Sequence, residues 1–473
     1  VVQIREIRRD EAALASEEND MSRQESGQRG LWGSKIAFIF AATGSAIGLG
    51  NIWRFPMVVG KYGGAVFVFV YILAVALVGF TVMLAEMTIG RHTQRNAIGA
   101  FEHIKPRKPW KIIGYLGLLT SICILSYYAV IAGWAVGYFV KTVSGTFRGE
   151  VSSQMSDQIY TSFVSNPLMA LVCLLIVIGI TTFIISRGVQ SGIERWTKIL
   201  MPILFILIIY LAIKALTLPG ASEGVSFYLK PDFSKLNGTV VLFAFGQAFF
   251  SLSIGMGIMI TYGSYIPKSD NLVTSAGWVS FSDTLIAFLA GIIIFPTLFA
   301  IPGIAPTAGP GLVFKVFPLI FSKIPNGNFF GTLFFTLLLV AAITSTISLL
   351  EVSVAYFIDE RNWSRKKAAL LLGGFAFLLG IPSALSSGGM KFFTDIDFMG
   401  KFDILFANIS LAVGALLICI FVGWIWGVKK PVEEVREGNP RFRIRPLWVF
   451  SLKFFSPIVL IIILIFIKKI ITG

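Results

Sequence analysis

Two glycine pairs interrupt apolar runs at places where the backbone itself could become a ligand. One is Ile47-Gly48-Leu49-Gly50 and the other Ile254-Gly255-Met256-Gly257. Glycine inside a helix weakens it and lets the chain leave helical geometry. In lipid, the carbonyl and N–H groups freed by such a break must face protein, water or a ligand. Freed carbonyls are hard oxygen donors of the kind sodium takes. The N-terminus of a half-helix beyond a break suits a carboxylate. Asn51, beside the first break, adds a side-chain oxygen, and Arg54 lies one turn further on. A charge at that depth is costly unless paired or hydrated. Beside the second break, Ser251 and Ser253 supply hydroxyls, and Phe250 and Met256 an apolar wall. Asp283, within Ser282-Asp283-Thr284, places a carboxylate inside another apolar run, which is a functional position by default. Thr344-Ser345-Thr346 is a hydroxyl cluster in a further run; such hydroxyls often only bond their own helix.

The elements that must hold these residues are membrane spans. The chain has 473 residues, 55% hydrophobic and only 14% charged, against about 25% charged in soluble domains. Eleven apolar runs approach the roughly 20 residues that cross a bilayer: 35–57, 63–90, 111–143, 166–185, 190–216, 238–265, 272–299, 330–357, 366–384, 402–427 and 446–470. The net charge of +15 is divided among the segments between runs rather than gathered in one patch, so it reads as cytoplasmic loops and not as a nucleic-acid surface. Arg91 to Lys108, Arg187 to Lys198, Arg361 to Lys367 and Lys429 to Arg445 carry most of it. That bias places the N-terminus in the cytoplasm and the C-terminus outside, in a plasma (inner) membrane.

The glycine breaks fall in runs 1 and 6. Runs 1–5 and 6–10 therefore form two repeats, and five being odd, the second is inverted. Matching breaks in two such halves point to a binding site near mid-membrane. The expected organisation is a cytoplasmic tail at 1–34, a first repeat at 35–216 and an extracellular loop at 217–237. A second repeat follows at 238–427, with an outer capping loop at 300–329. A cytoplasmic loop at 428–445 and an eleventh helix with the C-terminus at 446–473 complete it. The three cysteines lie in apolar runs without pairing or metal spacing, and His92 and His103 share a loop with no third ligand. No nucleophile-and-base or zinc motif lies at membrane depth, so the chain does not read as an enzyme.

Gly44-Ser45-Ala46-Ile47-Gly48-Leu49-Gly50-Asn51-Ile52-Trp53-Arg54-Phe55-Pro56 closely resembles the first-helix signature of the neurotransmitter:sodium symporters, which have the LeuT fold. Further matches are Tyr127-Tyr128, Gly192-Ile193-Glu194-Arg195-Trp196, Pro231-Asp232-Phe233, Thr261-Tyr262-Gly263-Ser264-Tyr265 and Thr344-Ser345. The resemblance runs from about Arg29 to the end, and eleven helices are typical of the bacterial amino-acid branch. It implies an all-α polytopic membrane protein with a LeuT-like 5+5 inverted repeat, broken helices 1 and 6, and an eleventh helix.

The resemblance implies two sodium ions. The first site would use Ala46, Asn51, Ser251, Asp283 and the substrate carboxylate. The second would use the carbonyls of Gly44, Ile47 and Ala341 with the hydroxyls of Thr344 and Ser345. The substrate pocket would comprise Ala46, Leu49, Gly50, Ile124, Tyr128, Phe250, Ser251, Ser253, Met256, Ser345 and Leu349. Chloride-dependent relatives have Asn at the place of Asp283 and Ser at that of Ala287, so chloride independence is expected. Monoamine carriers have Asp where Gly48 stands, which favours an α-amino acid here, hydrophobic or aromatic. Met256 reads equally well as a core gap-filler.

Arg54 with Asp403 would form an outer gate, with Asp395 and Asp397 as rival partners; Arg29 with Asp359, near Trp32 and Tyr265, would form an inner one. Gly192 and Pro202 would let the fifth helix unwind, or form a kink and packing notch. An amino-acid sensor or a sodium-gated channel on the same fold is the alternative function.

Overall fold

The computed structural model describes residues 31–149, 151–300 and 312–472, and these contain helices and no strand. Ten helices carry the first eight expected runs with small shifts at their ends: α1 (Lys35–Ala46), α2 (Gly50–Lys61), α3 (Ala65–Thr93), α4 (Lys111–Val143), α5 (Pro167–Ser186), α6 (Val189–Leu216), α7 (Gly238–Ser251), α8 (Ile258–Gly263), α9 (Leu272–Phe299) and α10 (Gly327–Arg361). Four more follow: α11 (Arg365–Leu385), α12 (Phe398–Ile425), the short α13 (Lys429–Glu437) and α14 (Arg445–Phe466). Among the described residues nine helices are long and apolar enough to cross a membrane unbroken. The first run makes a bent pair, α1 and α2, turning 47° at the glycine break. The sixth is split into α7 and α8, each too short to cross alone.

Helix starts follow the sequence. Asn166 caps α5 ahead of Pro167, Asn237 caps α7, Asn271 caps α9 and Ser364 caps α11, each accepting from backbone N–H groups of the first turn. The outer capping loop expected at 300–329 lies partly outside the described residues. Its described portion turns helical, and Phe314 and Phe317 pack on Tyr138 of α4 and Phe334 of α10, with centroids 5.1 and 4.7 Å apart. Within the 217–237 loop a helix forms at Ala221–Leu229, and its buried Tyr228 donates to the Phe288 carbonyl of α9 at 3.1 Å.

The fifth run does not unwind between its two weak residues. It is π-wound over Val189–Glu194 and α-helical from Arg195 through Pro202 to Leu216. A Cβ on Gly192 would sit 2.2 Å from the Ile184 carbonyl oxygen. In this conformation Gly192 is a packing notch that lets α6 turn closely beneath α5.

At the end of the bundle where α3 terminates, α13 is tied down by buried charge. Glu434 Oε1 accepts from Arg91 Nε at 2.7 Å, and Oε2 accepts from Lys268 at 2.7 Å and faces His92 Nδ1 at 2.9 Å. Arg91 also donates to the Glu434 and Asp270 carbonyls. Burial alone would raise the Glu434 pKa, but the hydrogen bonds from His92, Lys268 and Arg91 outweigh it and hold the carboxyl down at about 2. A folded-state pKa below the ordinary carboxylate value contributes stability that is present above pH ~4.5 and lost as pH falls toward 2. Glu434→Gln should therefore lower the melting temperature at pH 7, with a loss of roughly 3 kcal/mol. The gap to the parent protein should close as pH is lowered from 4.5 toward 2.5. A gap constant over that range, read by thermal unfolding in detergent, would disprove the ionic role.

Candidate functional site

The two breaks lie side by side. In the first, the chain leaves α-geometry after Ala46 and resumes at Gly50 with a π-turn. In the second, residues 252–257 are non-helical, and three of them, Ser253, Gly255 and Gly257, have positive φ. That conformation is cheap for glycine and strained for serine. Ser253 is held in it by donating to the Ser45 carbonyl at 3.0 Å, so one break fastens the other.

Asn51, Ser251 and Asp283 meet in one hydrogen-bonded cluster. Asn51 Nδ2 donates to Asp283 Oδ1 at 2.7 Å and to Ser251 Oγ at 3.0 Å. Ser251 Oγ lies 2.9 and 2.8 Å from the two Asp283 oxygens. All three are buried. Asn51 Oδ1 is not a free donor oxygen here, because it accepts from the Gly48 N–H at 3.1 Å. Tyr71 of α3 also reaches this cluster, 3.2 Å from Asp283 Oδ2 and 3.3 Å from Ser251 Oγ. Gln247 donates to the Gly50 carbonyl at 2.9 Å.

A second oxygen cluster forms where α10 passes the first break. Ser345 Oγ lies 3.3, 3.4 and 3.3 Å from the carbonyl oxygens of Ser45, Ile47 and Ala341, and Thr344 Oγ1 lies 3.0 Å from that of Ala341. Gly44 is packed against Thr344, whose Cβ is 3.2 Å from where a glycine substituent would stand. The Ser345 hydroxyl thus bonds across to the first break as well as to its own helix, whereas that of Thr344 bonds only carbonyls of its own helix.

Between the clusters lies a small cavity of about 30 Å³, lined by Ala46, Gly48, Gly50, Ile124, Tyr128, Phe250, Ser251, Ser253, Met256, Ser345 and Leu349, and also by Ser45 and Ser348. Leu49, expected in the lining, is not part of it; its N–H donates to the phenol oxygen of Tyr128, which is, at 2.8 Å. Ser45 Oγ and Ser348 Oγ are 2.7 Å apart, a polar patch in the wall. Phe250 covers one end, with the Arg54 guanidinium 4.5 Å from its ring centroid.

Beyond Phe250, Arg54 is within 3.9 Å of Asp403, but its closer partner is Asn408, whose Oδ1 accepts from Nη2 at 2.8 Å. Asn408 in turn donates to the Asp403 carbonyl at 3.1 Å, and Tyr127 donates to Asp403 Oδ1 at 3.1 Å. The rival Asp397 caps a helix turn instead, accepting from Gly400 N. At the opposite end Trp32 is buried and donates to the Tyr262 carbonyl at 3.1 Å. Arg29 lies outside the described residues. Asp359 accepts from the backbone and side-chain nitrogens of Asn96 at 3.1 and 3.0 Å. Tyr265 donates to Glu351 at 2.8 Å, and Glu351 in turn pairs with Arg365 at 2.5 Å.

Sequence reading passed over Tyr71, Asn408, Ser348 and the carboxylate Glu86. Glu86 of α3 is fully buried and accepts from the Gly255 N–H at 2.6 Å, satisfying a group freed by the second break. Its signal was available, as a carboxylate within an apolar run.

The chain matches the model of the Sodium:neurotransmitter symporter family over residues 29–151 and 147–472. It is 40% identical to the sodium-dependent transporter YhdH of Bacillus subtilis, covering 91% of this chain and 96% of that one. It is 37% identical to the sodium-dependent transporter MJ1319 of Methanocaldococcus jannaschii, covering 92% and 89%. Among solved structures, MhsT in complex with L-phenylalanine is similar, with a TM-score of 0.86 and 44% identity, covering 92% of this chain and 99% of that one. These likenesses agree with the all-α, LeuT-like membrane architecture expected from the sequence.

Proposed function

The chain belongs to the sodium:neurotransmitter symporter family, and we propose that it imports an α-amino acid, hydrophobic or aromatic, together with two sodium ions and without chloride. Sodium-coupled transport follows from the family; the substrate, the ion count and the residue roles are our reading. The observation that carries it is the small cavity wedged between two oxygen clusters at paired helix breaks.

Sodium here is cargo. One ion would be held by the Ala46 carbonyl, Asn51, Ser251, Asp283 and the substrate's own carboxylate. The other would be held by carbonyls of Gly44, Ile47 and Ala341 with Thr344 and Ser345. An ion bound partly through the substrate couples the two: each raises the other's affinity by the same factor. Chloride independence is supported by the buried Asp283 carboxylate and by Ala287, which offers no hydroxyl. The amino-acid assignment is supported by Gly48, where the chain provides no carboxylate of its own, and by the L-phenylalanine bound to MhsT. The cavity, about 30 Å³, is far below the roughly 300 Å³ of the smallest usual ligand pockets. Substrate entry therefore requires Phe250 and the flexible Met256 to move.

The Arg54–Asn408–Asp403 group would close the outer path as the halves rock, and the Trp32–Tyr265 region the inner one. Charge bias between the loops supports a cytoplasmic N-terminus in the plasma (inner) membrane. The test is uptake of labelled amino acids into proteoliposomes with and without an inward sodium gradient, followed by competition among the twenty amino acids. Uptake should need sodium, ignore chloride and be inhibited best by large apolar side chains. Uptake indifferent to sodium would defeat the symporter. Binding without uptake would favour the sensor, and sodium current without substrate accumulation the channel.

A further inference from the structure

Away from the transport path, α3 and the start of α14 enclose an apolar groove of about 350 Å³. The two helices run antiparallel there. Trp448 Nε1 donates to the Thr81 carbonyl at 3.1 Å, and Ser451 Oγ donates to the Leu77 carbonyl at 2.7 Å. These bonds make a fixed floor. Both walls are π-wound at this level, Val75–Gly79 on one side and Ser451–Phe455 on the other. Such turns widen a helix and recur at functional positions. Leu77, Leu447 and Phe450 line the groove and stay exposed.

Charge gathers at one end of the groove; Lys453, in the π-wound wall, places its ammonium over the Trp424 ring at 4.3 Å instead. The loop leading into α14 exposes Arg441 and Arg443, and the first residue of the helix, Arg445, is exposed as well. Phe442, between the first two, is buried and packs on Trp448 with centroids 5.5 Å apart, so the arginines are anchored beside the groove. The acids closest in sequence are committed elsewhere: Glu434 and Glu437 both face Lys268, at 2.7 and 3.8 Å. Arg445 precedes Trp448 by three residues, about 4.5 Å along a helix, while Arg91 lies about 15 Å beyond Thr81 on α3. The arginines thus stand between the groove and the polar end of the bundle, at the depth of lipid headgroups if α3 crosses the bilayer.

We propose that this is a binding site for one anionic glycerophospholipid, its acyl chain in the groove and its phosphate group against Arg441, Arg443 and Arg445. The apolar groove and the arginine cluster answer the two halves of that one molecule. A zwitterionic lipid offers the same chains with no net charge. Cationic side chains near an anionic membrane surface each add about fivefold in affinity. The inference rests on the membrane placement of the helices and not on the identity of the transported substrate.

The test is native mass spectrometry of the purified full chain, titrated in detergent with phosphatidylglycerol or with phosphatidylcholine of the same acyl chains. We expect a one-to-one phosphatidylglycerol adduct favoured about tenfold or more. Arg441→Gln/Arg443→Gln/Arg445→Gln should erase the preference, and the corresponding triple lysine variant should keep it. Leu77→Trp, which fills the groove from a lipid-facing position, should weaken the adduct while leaving the monodisperse profile intact. Equal binding of both lipids, a preference surviving the triple glutamine change, an adduct unaffected by Leu77→Trp, or displacement by inorganic phosphate alone would each overturn the site.

Discussion

Asp283→Asn should reduce sodium-driven uptake in chloride-free medium about a hundredfold, with part of the activity returning when chloride is added. The substitution changes charge and little else. The introduced amide can still accept from Asn51, and the hydroxyls of Ser251 and Tyr71 can turn to accept from its nitrogen. What disappears is a full negative charge beside the proposed first sodium. At about 4 Å and an effective dielectric near 20, that charge is worth roughly 4 kcal/mol. Relaxation of the surrounding hydroxyls recovers part of it, which leaves about two orders of magnitude. Chloride can substitute only where donors face it, so Ala287→Ser, one helical turn from Asp283, should improve the rescue when combined with Asp283→Asn. The measurement is initial uptake in proteoliposomes with chloride or gluconate as the anion. Normal uptake of the single variant in gluconate would remove Asp283 from the coupling.

Membrane depth explains why much of this site was legible in the sequence. In an apolar run, Asn51, Asp283 and the glycine pairs stand out because each is costly there unless it has work. Nine uninterrupted spans, one bent pair and one split helix followed from the same patterning. Tyr71 and Ser348 were hidden for the opposite reason. An aromatic or a lone serine is ordinary within a span, and only the facing helix gives it a polar partner. Asn408 was missed because sequence reasoning ranks a partner for Arg54 by charge, whereas reach decides the 2.8 Å contact. The positive φ of Ser253 has no compositional signal at all, since the flanking glycines already accounted for the turn.

Gly48→Ala should lower substrate affinity about a hundredfold and sodium-coupled uptake with it. A Cβ at this position would lie 2.5 Å from Ser345 Oγ and 2.5 Å from the Tyr128 phenol oxygen, closer than real side-chain contacts allow. Neither atom can withdraw freely. The phenol is fixed by the Leu49 N–H at 2.8 Å, and Ser345 Oγ is shared among three carbonyls. Overpacking of this kind costs about 1–3 kcal/mol, the upper end applying where the obstructed atoms are themselves the binding groups. Tyr128 belongs to the proposed substrate pocket and Ser345 to the proposed second sodium site. One methyl should therefore damage both, and the sodium dependence of binding should fall with the affinity. Gly246→Ala is the matched control: it lies in α7, and its Cβ would meet nothing within 4 Å. It should bind and transport like the parent, because alanine is the better helix former. Binding of the best competitor, titrated at several sodium concentrations in detergent, reads both effects. If Gly48→Ala binds within twofold of the parent, this cavity is not where the substrate sits. If instead it loses substrate affinity but keeps sodium binding, the two oxygen clusters do not share the wall that this glycine forms.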